Sequence, residues 1–235
     1  MTERWDRRRV LGATAATASV ALAGCSGSSN EDTPENNNDN DGDDTDQEDS
    51  TDTEENEDDS STDSMPSTIL NGDVEQQGEL QLSSPDFEDG EQMPDWTGKA
   101  NEDENPELEI SGVPDGAESL VLVVDDPDAQ PVAGHTWDHW YAWDIDPEIG
   151  TIPRNWSGGD ATEGHNDFLE YGYGGPSPPE GSHGYRFKLV AIDSELGVPA
   201  ETRKTRVGSA IAMNAEVLAS TQIVGTYHAD QGTTF

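Results

Sequence analysis

The chain has 235 residues, one cysteine and a formal net charge of −40 at pH 7. An acidic excess of this size argues against nucleic acid and anionic lipid headgroups as main partners, because like charges repel. A single cysteine cannot form an internal disulfide.

The first 25 residues have the order of an export signal. Arg7 and Arg8 precede a mildly apolar stretch over 11–23, which runs into Leu22-Ala-Gly-Cys25. The arginine pair is typical of a twin-arginine signal, and the last four residues of a lipobox, whose cysteine receives a lipid. A short membrane-spanning anchor is the alternative, but about 13 weakly apolar residues fall short of the ~20 that a spanning helix needs. We therefore predict a twin-arginine lipoprotein signal over 1–25, with lipidated Cys25 anchoring the protein at the extracellular face of the cell membrane.

Residues 26–65 are predicted to be a disordered acidic tether. They include 17 acidic residues and no Lys, Arg, Val, Ile, Leu or aromatic residue. Such a composition buries too little apolar surface to offset the entropy of ordering. As a flexible chain, 40 residues would span about 35 Å. An acidic tail that recruits a basic partner is the alternative interpretation.

The rest of the chain, 66–235, is predicted to be one domain with a sizeable core. It carries 32 acidic and 7 basic residues, and the whole chain has three lysines. Acidity spread over tether and domain alike is typical of proteins that work in molar salt, where screening removes the self-repulsion. The composition therefore predicts a halophilic archaeon as the source.

The domain is predicted to consist mainly of β-strands. Six runs rich in Val, Ile and aromatic residues are separated by Gly, Pro, Asp and Asn clusters, which favours strands joined by long loops. The predicted strands are 79–83, 107–111, 119–125, 138–145, 185–193 and 221–227. Residues 207–220 have apolar positions at helical spacing and are predicted as a helix. The fold class is therefore an antiparallel β-sandwich with long loops and a helix near the C-terminus.

Three predicted strands carry a titratable group at one end of an apolar face, if side chains alternate strictly. The aligned sets are Leu120, Leu122, Val124 and Asp126; His139, Tyr141, Trp143 and Ile145; and His183, Tyr185, Phe187, Leu189 and Ala191. For any one strand, a core histidine held by one hydrogen bond is the alternative. Because buried polar groups are costly without partners, we expect the three groups to converge at one cavity.

Five motifs in this domain resemble those of the phosphatidylethanolamine-binding protein family, in particular its Raf-kinase-inhibitor-like YbhB/YbcL branch. They are Asp126-Pro-Asp-Ala129, His139-Trp140, Asn166-Asp-Phe168, Tyr173-Gly-Gly-Pro-Ser-Pro-Pro179 and His183-Gly-Tyr185. The resemblance extends over nearly everything from Glu79 to Tyr227. Its specificity comes from the order and spacing of five separate motifs.

The resemblance implies a β-sandwich with a small cavity that binds phosphate-like or carboxylate groups of small ligands. By position the cavity residues are Asp126, His139, His183 and Tyr185, with Gly175 and Pro178 in the loop at its rim. Two residues depart from the family pattern. Gln130 stands where a proline is usual, and Gly184 replaces the common arginine, a strong hydrogen-bond donor.

The sequence thus favours a lipid-anchored protein that binds a small anionic ligand, is not an enzyme and needs no cofactor. We expect Asp126 to act through a histidine N–H, so that binding strengthens as the histidines protonate. One alternative is a metal-dependent enzyme, because Asp126, His139 and His183 are also a two-histidine, one-carboxylate set. Another is an inhibitor or regulator of a protein partner, which the resemblance suggests without specifying the partner.

Overall fold

Eight β-strands in two sheets dominate the structure, a computed structural model that describes residues 70–232. They are β1 (Gln81–Ser83), β2 (Leu108–Ser111), β3 (Ser119–Asp126), β4 (Trp137–Ile145), β5 (Thr151–Ile152), β6 (Thr162–Glu163), β7 (Ser182–Ile192) and β8 (Val217–His228). The described part also contains helices α1 (Gln130–Ala133) and α2 (Lys204–Asn214), and 3-10 turns at Asp95–Thr97, Pro127–Ala129 and Ala229–Gly232. The predicted signal over 1–25, with Cys25, and the predicted tether over 26–65 lie outside the described residues.

The strands form a small sheet of order β1-β2-β5 and a large sheet of order β6-β4-β3-β7-β8. All pairings within the two sheets are antiparallel. The small sheet packs on one face of the large sheet, here called the front face, through residues such as Leu108, Leu122 and Phe187. The prediction of an antiparallel β-sandwich is confirmed.

The opposite face of the large sheet, here called the back face, is covered by α2. Val207 and Ile211 of this helix pack against Val121, Val123 and Val190 of the sheet. All eight residues of β3 are buried, since the strand has a core on each side. This double cover explains its unbroken apolar run, which a strand with one exposed face would not show.

The helix near the C-terminus is shorter than predicted and begins earlier. It spans Lys204–Asn214, and β8 begins at Val217, inside the stretch predicted as helical. The second half of the helix prediction over 207–220 is wrong, because Val217 and Ala219 pair with Ile192 and Ala191 of β7. Within residues 70–232, the structure contains no helix that is both long and apolar enough to cross a membrane.

Strand β4 departs from strict alternation at a β-bulge. Its register with β3 runs from Val124 opposite Trp140 to Asp125 opposite Asp138, which leaves His139 as an extra residue. A bulge places an additional side chain in one strand and shifts the phase of those around it.

The bulge changes which face His139 occupies. Its ring lies 5.0 Å from that of Tyr185 on the front face, whereas Tyr141 and Trp143 lie in the back-face core. A second register shift farther along β4 returns Ile145 to the front core. The prediction that His139 shares a face with Tyr141 and Trp143 is therefore wrong.

Candidate functional site

Three neighbouring strands bring their polar ends together at one edge of the large sheet. Asp126 ends β3, while His139 and His183 lie near the starts of β4 and β7, which run antiparallel to β3. The three side chains line a cavity of about 270 Å³, here called the front cavity. Its full lining is Asp126, Ala129, Val132, Ala133, Trp137, His139, Phe168, Ser177, Pro179 and His183.

Asp126 and His183 form a buried pair. The Nδ1 atom of His183 lies 2.7 Å from Oδ2 of Asp126, and both side chains are almost inaccessible to solvent. Because an ionised carboxylate can only accept, Nδ1 carries the hydrogen and Nε2 is left for a ligand. The other oxygen, Oδ1, accepts the Ala129 backbone N–H at 3.1 Å, which begins the 3-10 turn after β3.

His139 is held by the backbone of Gly174. Its Nδ1 donates to the Gly174 carbonyl at 2.6 Å, and the Gly174 N–H donates back to the His139 carbonyl at 2.8 Å. Burial lowers the pKa of His139, although the Gly174 carbonyl and the Asp126 carboxylate act in the opposite direction. The neutral imidazole therefore keeps its hydrogen on Nδ1 and leaves Nε2 without one.

Two donors in this region are buried without a partner: Trp137 lines the front cavity, whereas Tyr185, predicted as a cavity residue, is not part of the lining and packs on His139. Among the described residues, neither the Trp137 indole N–H nor the Tyr185 hydroxyl has a hydrogen-bond partner. The Asp126 carboxylate and the Ser177 backbone lie near the Tyr185 hydroxyl, but neither is placed to bond it. Burial, reinforced by Asp126, raises the pKa of Tyr185, so the hydroxyl keeps its proton. An unsatisfied buried donor costs about 1–3 kcal/mol, which a ligand acceptor would remove.

Aromatic rings line the front cavity beside these polar groups. The Phe168 ring packs edge to face with Trp137 at 5.4 Å and with His139 at 5.6 Å. Phe168 is positioned by buried Asn166, whose side-chain oxygen accepts the Phe168 backbone N–H at 2.9 Å. The site thus combines the polar side chains of Asp126, His139 and His183 with an otherwise mostly apolar lining.

The model of the phosphatidylethanolamine-binding protein family matches residues 83–228, which contain the whole large sheet and the whole front cavity. The chain belongs to this family.

Proteins from several other organisms are similar to this chain in sequence or structure. A UPF0098 protein of Aquifex aeolicus is 35% identical over 158 residues, which cover 64% of this chain and 90% of that protein. The crystal structure of the family homologue CT736 from Chlamydia trachomatis has a TM-score of 0.58 and 30% identity, covering 65% of this chain and 99% of that one. The crystal structure of Escherichia coli YbcL, described as a member of the mammalian family, has a TM-score of 0.57 and 28% identity. It covers 64% of this chain and 99% of that one. The predicted family and its fold are confirmed.

The loop predicted as the rim contributes other residues than expected. Ser177 and Pro179 line the front cavity, whereas Gly175 and Pro178 do not. Gly175 instead packs on the turn after Asp95–Thr97, where an added Cβ would lie 2.2 Å from the Thr97 carbonyl oxygen.

The two departures from the family pattern lie outside the cavity lining. A Cβ on Gly184 would point toward Val224 and Asp128, on the side of β7 opposite His183. The Gly184 backbone N–H donates to Asp128 at 2.8 Å. Gln130 opens helix α1 after the 3-10 turn.

Sequence reasoning missed Trp137 and did not include Phe168 among the site residues. Trp137 lies two positions before His139, so strict alternation would have placed both on one face. Phe168 lies in a motif that pointed to the family but not to a role. In the described part, no three His, Cys, Asp or Glu side chains are arranged to hold a metal ion.

Proposed function

We propose that the mature protein is a lipid-anchored, extracytoplasmic member of the phosphatidylethanolamine-binding protein family that binds a small anionic ligand in the front cavity. The observation that carries this proposal is a buried donor without a partner in the same cavity as two oriented histidines. The Trp137 N–H lacks an acceptor among the described residues and lines the front cavity, where each histidine is held through Nδ1 and offers its Nε2 atom.

The carboxylate at this site is compatible with an anion because it is already engaged. Both oxygens of Asp126 accept hydrogen bonds, from Ala129 and His183. Asp126 binds the Nδ1 side of His183, which leaves Nε2 for the ligand. Asp126 thus acts through the histidine, as an orienting residue.

We propose that the protein binds this ligand without converting it chemically. Ser177 is the hydroxyl-bearing residue of the lining, but its side chain makes no hydrogen bond to either histidine within the described residues. A serine nucleophile needs such a base within about 2.6–3.2 Å. Phosphate or carboxylate groups are the proposed ligand chemistry, and the apolar walls suit a ligand with a small apolar part.

Titration calorimetry of the full-length protein with inorganic phosphate tests this function. The variant His183→Asn retains an N–H that can reach Asp126 but removes the Nε2 atom. We expect phosphate affinity to fall by about tenfold or more, since a hydrogen bond to a charged group contributes ~1.5–3 kcal/mol.

The matched control is His228→Asn, because His228 is an exposed histidine outside the front cavity. It should bind phosphate as the unmodified protein does. Equal affinity in the unmodified protein and in His183→Asn would contradict the proposed site, and so would an equal loss in both variants.

A further inference from the structure

A second cavity of about 270 Å³ lies apart from the front cavity and shares no lining residue with it. Its principal lining residues are Asn155, Trp156, Ser157, Glu163, Tyr171 and Tyr173. The loop from Tyr171 to Pro179 contributes to both cavities, with its first residues here and its last residues in the front cavity.

Glu163 is the charged group of this cavity that lacks a counter-ion. Its Oε1 accepts the indole N–H of Trp140 at 2.8 Å, and no Lys, Arg or His of the described residues forms an ion pair with it. The side chain is partly buried, and burial raises its pKa. A partly buried carboxylate without a cation is costly, and a cationic ligand would remove much of that cost.

Two glycines lie close to this carboxylate. Gly158 and Gly172 have φ values of +81° and +83°. A Cβ on Gly158 would lie 2.8 Å from Oε2 of Glu163, and one on Gly172 would lie 2.9 Å from Oε1. The backbone therefore closes around Glu163 from two directions, in a conformation that larger residues rarely adopt.

Aromatic rings form the walls beside the carboxylate. The rings of Trp156 and Tyr173 each pack edge to face on buried Trp140, at 5.8 Å and 5.6 Å. Half-exposed Tyr171 completes the aromatic lining. Aromatic faces carry partial negative charge and attract ammonium groups, most strongly where water is partly excluded.

Lys99 and Arg154 already have carboxylate partners, one of which, Asp103, also lines this cavity. Lys99 pairs with Asp103 and Glu170 and lies over the Phe168 ring. Arg154 pairs with Glu102 and Glu104 and stacks on Trp96. These two side chains therefore do not supply the missing positive charge.

We propose that the second cavity binds a small organic cation that carries a protonated amine. Its volume is several times the ~30 Å³ that one water occupies in the liquid, so it accommodates more than a monatomic ion. Glu163 accepts hydrogen bonds from the ammonium group, and the rings of Trp156 and Tyr173 contact the carbon atoms. Asn155 and Ser157 offer further acceptors at the mouth.

A titration with ethylammonium chloride at constant potassium chloride tests this site, with the indole N–H signal of Trp156 followed by NMR. We expect a saturable shift in the full-length protein. In Glu163→Gln the amide oxygen still accepts from Trp140, so the fold is retained while the charge is lost. Ethylammonium affinity should fall by about tenfold or more.

The control variant is Asp160→Asn, which removes one charge from an exposed residue of the same loop outside the cavity lining. It should bind ethylammonium as the unmodified protein does, and neutral ethanol should give no saturable shift. The proposal is overturned if ethylammonium fails to saturate, if Glu163→Gln binds it equally well, or if ethanol binds as tightly. His183→Asn should leave this titration unchanged, which separates its outcome from that of the anion site.

Discussion

Asp125 and Asp126 are adjacent at the end of β3, but their side chains lie on opposite faces of the large sheet. Asp126 faces the front cavity, whereas Asp125, which is fully buried, accepts from Arg186 at 2.8 and 3.0 Å and from Lys188 at 2.7 Å. Asp128, two residues further, accepts the Gly184 N–H. The cluster of carboxylates after an apolar strand therefore has three distinct roles.

Asp125 is the centre of a buried charge network on the back face. Burial lowers the pKa of Lys188 to about 8, although Asp125 favours its charged form. Desolvation of the ammonium group thus outweighs the attraction of its neighbour. Lys204 pairs with Asp138 and lies 4.0 Å from Asp125, which extends the network to the first turn of α2. The network joins the sheet to the helix behind it.

The histidines of the front cavity predict how pH affects stability and binding. The pKa of His139 is lowered in the folded protein, so the folded state binds its proton less readily than the unfolded state. The contribution of His139 to stability is therefore present above the unfolded pKa of ~6.5 and is lost as pH falls through the folded pKa. A bound anion favours the protonated imidazole and should offset this loss.

Sulfate is a suitable probe because its charge stays constant between pH 5 and 8. We expect the free energy of unfolding without sulfate to decrease from pH 7 to 5, and sulfate affinity to increase by about tenfold or more. His139→Gln should weaken both trends, and His228→Asn should leave both as they are. Sulfate affinity that stays flat over this range would contradict the role of the histidines.

At the scale of single elements, the β4 bulge and the loop over 172–179 together shape the front cavity. The bulge turns His139 to the front face, and Gly174 in the loop then holds its Nδ1. The same loop passes close to the turn after Asp95–Thr97, where the Gly175 N–H donates to Asp103 at 2.7 Å. Strand, loop and turn therefore fix one another through contacts that involve the loop backbone.

Gly175→Ala should therefore disturb the cavity without touching its lining. The added Cβ would lie 2.2 Å from the Thr97 carbonyl oxygen and 2.7 Å from the Lys99 nitrogen, so backbone must move. We expect a loss of about 1–3 kcal/mol in the free energy of unfolding, measured by urea denaturation, together with weaker phosphate binding.

Gly184→Ala is the matched control, because its Cβ would meet Val224 at 3.4 Å, the limit of ordinary contact. Its stability and phosphate affinity should stay close to those of the unmodified protein. If Gly175→Ala were as stable as Gly184→Ala and bound phosphate normally, the loop would not have the supporting role described above.

For the whole molecule, the distribution of charge sets the conditions under which an anion can bind. Of the seven basic residues in 66–235, Arg186, Lys188 and Lys204 belong to the buried back-face network. The acidic residues of the outer surface therefore have few basic neighbours. Salt shortens the range of repulsion to about 3 Å at 1 M, so an anionic ligand would approach far more readily in molar salt.

The proposed lipid anchor is also a property of the whole molecule, because a lipid on Cys25 would hold the domain at the membrane. We expect the protein to fractionate with membranes, since buried acyl chains contribute ~0.8 kcal/mol per CH₂. Cys25→Ser should shift it to the soluble fraction, as measured by fractionation and mass spectrometry of the N-terminal peptide. A Cys25→Ser protein that stays with the membrane would disprove the lipid anchor, and Ser26→Ala serves as the control for a neighbouring change.

The sequence by itself determined the sandwich class, the approximate positions of six strands and the faces on which Asp126 and His183 lie. These predictions succeeded because β3 and β7 keep a regular two-residue alternation from end to end, so the face of each side chain can be counted along the chain. The covalent order of the motifs was also enough to indicate the family.

Tertiary structure alone decided three other features. Pairing with β7 converted residues from Val217 onward into strand, although their spacing suits a helix. Packing of Gly175 on the turn near Thr97 set which loop residues face the cavity, and the bulge placed His139 on the front face. Each depends on contacts between segments distant in sequence, and such contacts override local periodicity because they bury more surface and satisfy more hydrogen bonds than one segment can by itself.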